Sequence, residues 1–110
     1  MTIELTPNHF AQREQAVSEI EAAGLFFTEA ELSPNDLSAT AHTHPYRVDI
    51  YLLEGVLELH EPDTGRTHVL EPGSRAVVPA ETLHAETSPG PFRAAFGISA
   101  DPQAIMAERA

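Results

Sequence analysis

Three histidines in this chain have the spacing of a metal site. His42 and His44 are separated by one residue, and His84 follows forty positions later. Side chains two residues apart on a β-strand point to the same face, so His42 and His44 can direct two imidazoles at one point. A third imidazole from a distant strand completes a facial set of ligands for a divalent metal. The spacing predicts a metal pocket inside a small β-barrel.

The composition excludes several kinds of chemistry. The 110 residues include no Cys and no Lys, which rules out thiolate nucleophiles, sulfur-ligated clusters and lysine Schiff bases. The net charge of -11 argues against binding to nucleic acid or to an anionic membrane surface, because both attract basic side chains. No apolar run is long enough to cross a membrane and no signal peptide is visible, so we expect a cytoplasmic protein.

The order of turn and apolar residues indicates one domain, mainly of β-strands. Residues 6–24 predict a helix, because Thr6 can cap it, Pro7 suits its first turn and Gly24 suits its end. From about residue 25 to 100, short apolar runs alternate with turn residues, which is typical of a sandwich or barrel. The expected strands are 25–32, 37–44, 48–53, 56–60, 67–70, 75–78, 83–87 and 92–99. A short helix is expected at about 102–109.

The sequence around the histidines resembles that of the cupin superfamily. The first motif of that family has the form G-x5-H-x-H-x3/4-E-x6-G, and the second G-x5-P-x-G-x2-H-x3-N. Residues 37–98 carry the resemblance through His42, His44, Gly55, Gly73, Pro79 and His84. The resemblance implies an all-β double-stranded β-helix, or jelly roll, as a single small cupin domain over residues 1–110. It also implies that His42, His44 and His84 bind a divalent metal.

The chain departs from the family pattern at the carboxylate of the first motif. Counting back from Gly55, that position is Val48, and Asp49 is one residue away. A slip of one residue turns a strand side chain to the opposite face, so Val48 should face the barrel interior and Asp49 the outside, solvated or bonded to a loop. A β-bulge near Pro45 could instead bring Asp49 to the metal as a fourth ligand.

Two other charged residues lie near the histidines. Glu86 follows His84 by two residues and shares its face on a regular strand. From there it could reach the metal, orient a ligand or act as a catalytic acid or base, the alternative being a strand-end glutamate in water. Arg47 could bind an anionic substrate at the barrel mouth, the alternative being a surface arginine that offsets the acidic charge.

These residues support two classes of function. The sequence does not choose among iron, manganese, nickel, copper and zinc. Three neutral ligands leave positions open, which suits a metal-dependent oxygenase, isomerase or lyase acting on a small oxygenated molecule. The missing motif glutamate keeps open a non-catalytic barrel that binds or senses a small molecule. The resemblance also implies a homodimer, because the strand edges of a small barrel need cover.

Overall fold

Two antiparallel sheets enclose one core in the computed structural model of the chain, which describes residues 2–109 and the side chains of residues 2–105. The strands are β1 (Glu4–Thr6), β2 (Phe26–Leu32), β3 (Val48–Glu54), β4 (Leu57–Glu61), β5 (Arg66–Leu70), β6 (Arg75–Val78), β7 (Ala85–Thr87) and β8 (Phe92–Ile98). The helices are α1 (Arg13–Ala22) and α2 (Pro102–Arg109), with a 3₁₀ turn at Pro34–Asp36. One sheet has the order β1-β6-β3-β8-β2 and the other β5-β4-β7. The mainly β jelly roll predicted from the sequence is confirmed.

Alternation along β3 separates two apolar clusters. Ile50 and Leu52 point into the core between the sheets, together with side chains of β4, β5, β6 and β8. Tyr51 points the other way and packs with Ala16 and Ile20 of α1. The turn after β3 is tight: Gly55 has φ +83°, and a Cβ there would lie 2.7 Å from the Pro91 carbonyl oxygen. Only glycine meets both conditions.

The N-terminal segment differs from the sequence expectation of a helix over 6–24. Residues Glu4–Thr6 form β1 and pair with the edge of β6, and α1 begins only at Arg13. Asn8 between them has φ 52°, which is incompatible with a right-handed helix. Pairing of β1 with β6 is favoured over a longer helix, because without β1 the backbone groups on that edge of β6 would have no partners. Neither described helix is long and apolar enough to cross a bilayer.

A buried carboxylate ties the N-terminal segment to the β4–β5 hairpin. The side chain of Glu61 is 1% exposed, and its Oε1 lies 2.8 Å from His68 Nε2. Thr2 Oγ1 and the Ile3 backbone N–H donate to the same oxygen, at 3.1 and 3.3 Å. Burial by itself raises the pKa of Glu61, but the hydrogen bonds from His68, Thr2 and Ile3 outweigh it. The pKa therefore lies below its ordinary value.

Replacing this carboxylate should lower the free energy of unfolding and reduce its dependence on acidic pH. We expect Glu61→Gln to lower the free energy of unfolding at neutral pH by about 1–3 kcal/mol. Because the folded-state pKa is depressed, the stabilisation is complete above the unfolded pKa of about 4.3 and is lost as pH falls through the folded value. Urea unfolding in a chelating buffer should show a constant difference above about pH 4.3 and convergence of the two proteins as pH falls below it. A difference in stability that stays constant as pH falls below about 4.3 would contradict this role of Glu61.

Candidate metal centre

The first two histidines lie on an irregular segment at the sheet edge. A strand was expected over 37–44, but the structure has only an isolated bridge, in which His42 N–H donates to His84 O at 2.9 Å and His84 N–H to His42 O at 3.0 Å. Two more backbone bonds run from Glu86 N–H to Ser38 O and from Glu81 N–H to His44 O. Side-chain hydrogen bonds compete here with backbone hydrogen bonds between strands: Ser38 Oγ donates to the Thr40 carbonyl. The bridge nevertheless brings His42 beside His84.

Four side chains of ligand type converge at this edge. One ligand atom from each of His42, His44, His84 and Glu86 lies within 4.8 Å of the others. The imidazole centroids are 4.6 Å apart for His42 and His84, and 4.8 Å apart for His42 and His44. Glu86 Oε1 lies 3.0 Å from His42 Nε2 and 3.3 Å from His84 Nε2. Three imidazole nitrogens and one carboxylate oxygen are a donor set that fits a divalent transition metal.

Backbone carbonyls orient two of the imidazoles. His42 Nδ1 donates to the Thr40 carbonyl oxygen at 2.8 Å, and His84 Nδ1 donates to that of Thr82, also at 2.8 Å. Because Nδ1 of each ring donates to a carbonyl, Nε2 is the nitrogen that faces Glu86, and its lone pair is free for a metal when the ring is neutral. Histidines that bind metals are commonly held in this way, which selects the tautomer and the ring direction.

Tyr46 is a site residue that the sequence analysis did not select. Its ring stacks on His44, with centroids 5.0 Å apart and an interplanar angle of 17°. Its hydroxyl oxygen lies 3.3 Å from His44 Nδ1. The signal was in the spacing, because Tyr46 follows His44 by the same two residues that separate His44 from His42.

Burial and ion pairing set the charges in the cluster. The side chain of His84 is 5% exposed. Burial alone lowers its pKa, but hydrogen bonds to Glu86 and the Thr82 carbonyl outweigh this effect and raise the pKa above its ordinary value. Burial raises the pKa of Glu86, but the hydrogen bond and charge of His84, with a contribution from His42, bring it below its ordinary value. Glu86 is therefore ionised at neutral pH, the form that binds a cation.

The other candidate acid lies on the opposite face of β3. Asp49 pairs with β6 in an uninterrupted register from Val48 to Tyr51, so no bulge turns it inward. Its carboxylate is buried rather than solvated and accepts hydrogen bonds from Arg47 Nε at 2.7 Å and Arg75 Nη2 at 3.0 Å. The structure thus brings Glu86, and not Asp49, to the three histidines.

Arg47 is held away from the barrel interior by its contact with Asp49. Its Nε and Nη2 form a bidentate pair with Asp49, the second bond being 2.9 Å long. Among the described residues, those that line the two cavities at the cluster do not include Arg47. Of the two alternatives for Arg47, binding an anionic substrate therefore has no support in its position.

Two cavities meet at the histidine cluster. The inner one, of about 170 Å³, lies between the sheets, and Val48 and Ile50 are part of its wall. The outer one, of about 440 Å³, is open to solvent and is lined mostly by polar side chains. His44, Tyr46 and Glu86 line both cavities. The cluster therefore has an apolar side and a polar side, and a molecule on either side can reach Glu86.

The fold and this site define a small jelly-roll barrel with a histidine–carboxylate cluster at its cavity. The family model described as Cupin domain matches residues 28–98. The chain belongs to the cupin family, as the two motifs indicated.

Solved structures share the fold. A protein of the DUF861 family from Thermotoga maritima is 18% identical, with a TM-score of 0.57 over 86% of this chain and 97% of that chain. The polyketide cyclase RemF from Streptomyces resistomycificus is 30% identical, with a TM-score of 0.56 over 71% of this chain and 56% of that chain. KdgF from Halomonas sp. is 20% identical, with a TM-score of 0.53 over 73% of each chain. No curated protein sequence matches this chain significantly.

Proposed function

We propose that this cupin binds one divalent transition-metal ion through His42, His44 and His84, with Glu86 beside the ion. The observation that carries the proposal is the convergence of the four ligand atoms within 4.8 Å. The Nδ1 bonds of His42 and His84 support it, because they leave both Nε2 atoms available at the centre of the cluster. The position of the glutamate in the first family motif is Val48 in this chain, which cannot bind a metal. Glu86, from another strand, supplies a carboxylate to the cluster instead.

The function we propose is that of a metal-dependent enzyme acting on a small oxygenated molecule, by an oxygenase or by an isomerase or lyase reaction. A divalent ion bound here would polarise a substrate oxygen or a water molecule. The histidines hold the site, the apolar wall of the inner cavity excludes water, and Glu86 takes or gives a proton. The side chain of Glu86 is 23% exposed and borders both cavities, which supports that role. The 30% identity to RemF, a polyketide cyclase, also supports an enzyme.

A second candidate is a non-catalytic barrel that binds or senses a small molecule. The observation that favours it is Val48, which lines the inner cavity at the position of the motif glutamate and carries no proton acceptor. A binding protein would need the shape and the polar groups of the site, but no acid or base. Turnover, measured with the Glu86 variant described in the Discussion, separates the two candidates.

The metal is tested on protein purified without an affinity tag. We expect inductively coupled plasma mass spectrometry to find close to one divalent ion per chain. Removal by a chelator should lower the melting temperature and re-addition should restore it, since the ion binds the folded chain. At a hundredfold excess over Kd the gain is about 2.7 kcal/mol. Stoichiometry near zero after exposure to iron, manganese, nickel, copper and zinc would refute the proposed centre.

We also propose a homodimer formed along β2 and α1. Strand β2 is an outer strand of the five-stranded sheet, and Phe26 and Phe27 on it are 47% and 37% exposed. An exposed apolar edge strand is commonly covered by a partner. Light scattering at about 50 µM should give the mass of two chains, a concentration at which a standard-sized interface is populated.

Two charge substitutions test which surface forms this dimer. Phe26→Glu should shift the protein to the monomer, whereas Val69→Glu, at a 45% exposed position on the other sheet, should not. A monomeric wild-type protein at that concentration would contradict the proposal.

A further inference from the structure

We infer that the ligand of this site is a molecule with two unlike ends, of which the inner one is uncharged. One end is an apolar group of about the size of a six-membered ring, which fills the inner cavity. The other end carries the oxygen that meets the histidine cluster, and this part rests on the proposed function. The apolar end is inferred from the cavity alone.

The described wall of the inner cavity has polar side chains only at the cluster. Ten of the residues that line it have hydrocarbon side chains: Leu32, Leu37, Val48, Ile50, Leu57, Leu59, Val78, Phe92, Phe96 and Ile98. The remaining described residues of the wall are His44, His84 and Glu86 of the cluster, and Tyr46 stacked on it. A hydroxyl group at the far end of a ligand would therefore be buried without a partner and would weaken binding.

Away from the cluster, no described cationic side chain faces the inner cavity. The chain has no Lys, and Arg47 and Arg75 bind Asp49 on the outer face of the sheet. Arg93, which borders a separate surface pocket, lies near Glu29 and Glu54. A carboxylate or phosphate in the cavity would lose its hydration and gain no counterion, which disfavours it strongly. The cavity thus selects against ligands that are charged at the inner end, and against sugars.

The volume sets the size of the inner end. An apolar cavity of about 150 Å³ holds one benzene molecule, and the inner cavity has about 170 Å³. Phe92 and Phe96 give it aromatic walls that suit a ring. Any larger part of the ligand must pass the cluster into the outer cavity, where Asp36, Ser38 and Thr43 can bind polar groups. The oxygen at the boundary then lies beside Glu86.

The first test compares two probes that differ only at the inner end. Zinc-loaded wild-type protein is titrated with 4-methylphenol and with hydroquinone, and binding is followed by ¹H–¹⁵N nuclear magnetic resonance spectra. Both probes carry one phenolic oxygen for the cluster, but hydroquinone places a second hydroxyl where the methyl group would lie. We expect the affinity for hydroquinone to be lower by about tenfold or more, the usual effect of an unpaired buried hydroxyl. Equal or tighter binding of hydroquinone would overturn the inference.

The second test fills the cavity. Val48→Phe is expected to weaken 4-methylphenol binding by about tenfold or more while zinc stoichiometry stays at the wild-type value, because the new ring occupies the ligand's space. The matched control is Val69→Phe, the same change at an exposed position on β5, which should leave both quantities unchanged. Wild-type affinity in a folded Val48→Phe protein would contradict the inference. If that variant does not fold, the comparison of the two probes still decides the question.

A third probe separates this inference from the proposed function. Toluene has no oxygen, so its binding to metal-free protein depends on the inner cavity alone. If none of iron, manganese, nickel, copper and zinc binds but toluene does, the metal centre is refuted and the apolar end of the ligand stands. If zinc binds and toluene does not, the centre stands and the inference about the ligand is overturned.

Discussion

Replacing His84 with alanine is expected to abolish stoichiometric metal binding. His84 is the most buried of the three histidines, with 5% of its side chain exposed, and the Thr82 carbonyl holds its Nε2 toward the cluster. Removal of a hydrogen bond that only orients a ligand already weakens metal binding by about 10–100-fold. Loss of the ligand itself should therefore weaken it by roughly a hundredfold or more, and His42→Ala should do the same. Isothermal titration calorimetry with the metal measures the affinity of both variants.

The control for this prediction is the acid on the other side of β3. Asp49→Asn should retain about one ion per chain, because Asp49 contacts Arg47 and Arg75 rather than the cluster. It should still be less stable, by about 1–3 kcal/mol, since two guanidinium groups lose an ionised partner. Equal metal loss in Asp49→Asn and His84→Ala would show that Asp49 reaches the centre. His60→Ala, which removes a histidine bonded to Thr67 and Thr87, should also keep the ion.

The inward and outward faces of β3 could be predicted because they follow from period-2 geometry and one turn. Gly55 is required by a positive φ and a close backbone approach, so its position fixes which residues before it point inward. Val48, Ile50 and Leu52 accordingly face the interior, and Asp49 does not. What Asp49 binds was not visible, because Arg75 reaches it from β6, twenty-six positions later in the chain. The sequence pattern of one strand contains no information on that pairing.

Local competition explains the elements that the sequence analysis missed. The signals for a helix at residues 6–12 were real, but pairing of β1 with β6 and the left-handed Asn8 outweighed them. In the segment before β3, side-chain bonds to the Thr40 carbonyl replace regular strand pairing. The histidines still converge there, because the single bridge between His42 and His84 suffices to align them. A metal site needs a few atoms in place, and a regular strand is only one way to hold them.

Glu86→Gln is expected to reduce turnover of a substrate by roughly a hundredfold or more, the usual contribution of a general acid or base. The change keeps the shape of the side chain and removes its capacity to accept a proton. Three histidines are a sufficient protein ligand set for a catalytic metal, so the ion content should remain near one per chain. Affinity for 4-methylphenol should also remain close to that of the wild type, because the hydrocarbon wall of the inner cavity is untouched.

Glu61→Gln is the matched control for this variant, because it makes the same change at a buried glutamate that contacts His68 outside the cluster. It should lower stability and leave kcat unchanged for the fraction that is folded. Turnover that survives Glu86→Gln would show that another group transfers the proton. If wild-type protein binds small phenols tightly but converts no member of a panel of phenols, small acids and sugars, the binding or sensor function replaces the enzyme. Glu86 would then serve only to accept a hydrogen bond from the ligand's hydroxyl, and Glu86→Gln would weaken binding by about tenfold instead.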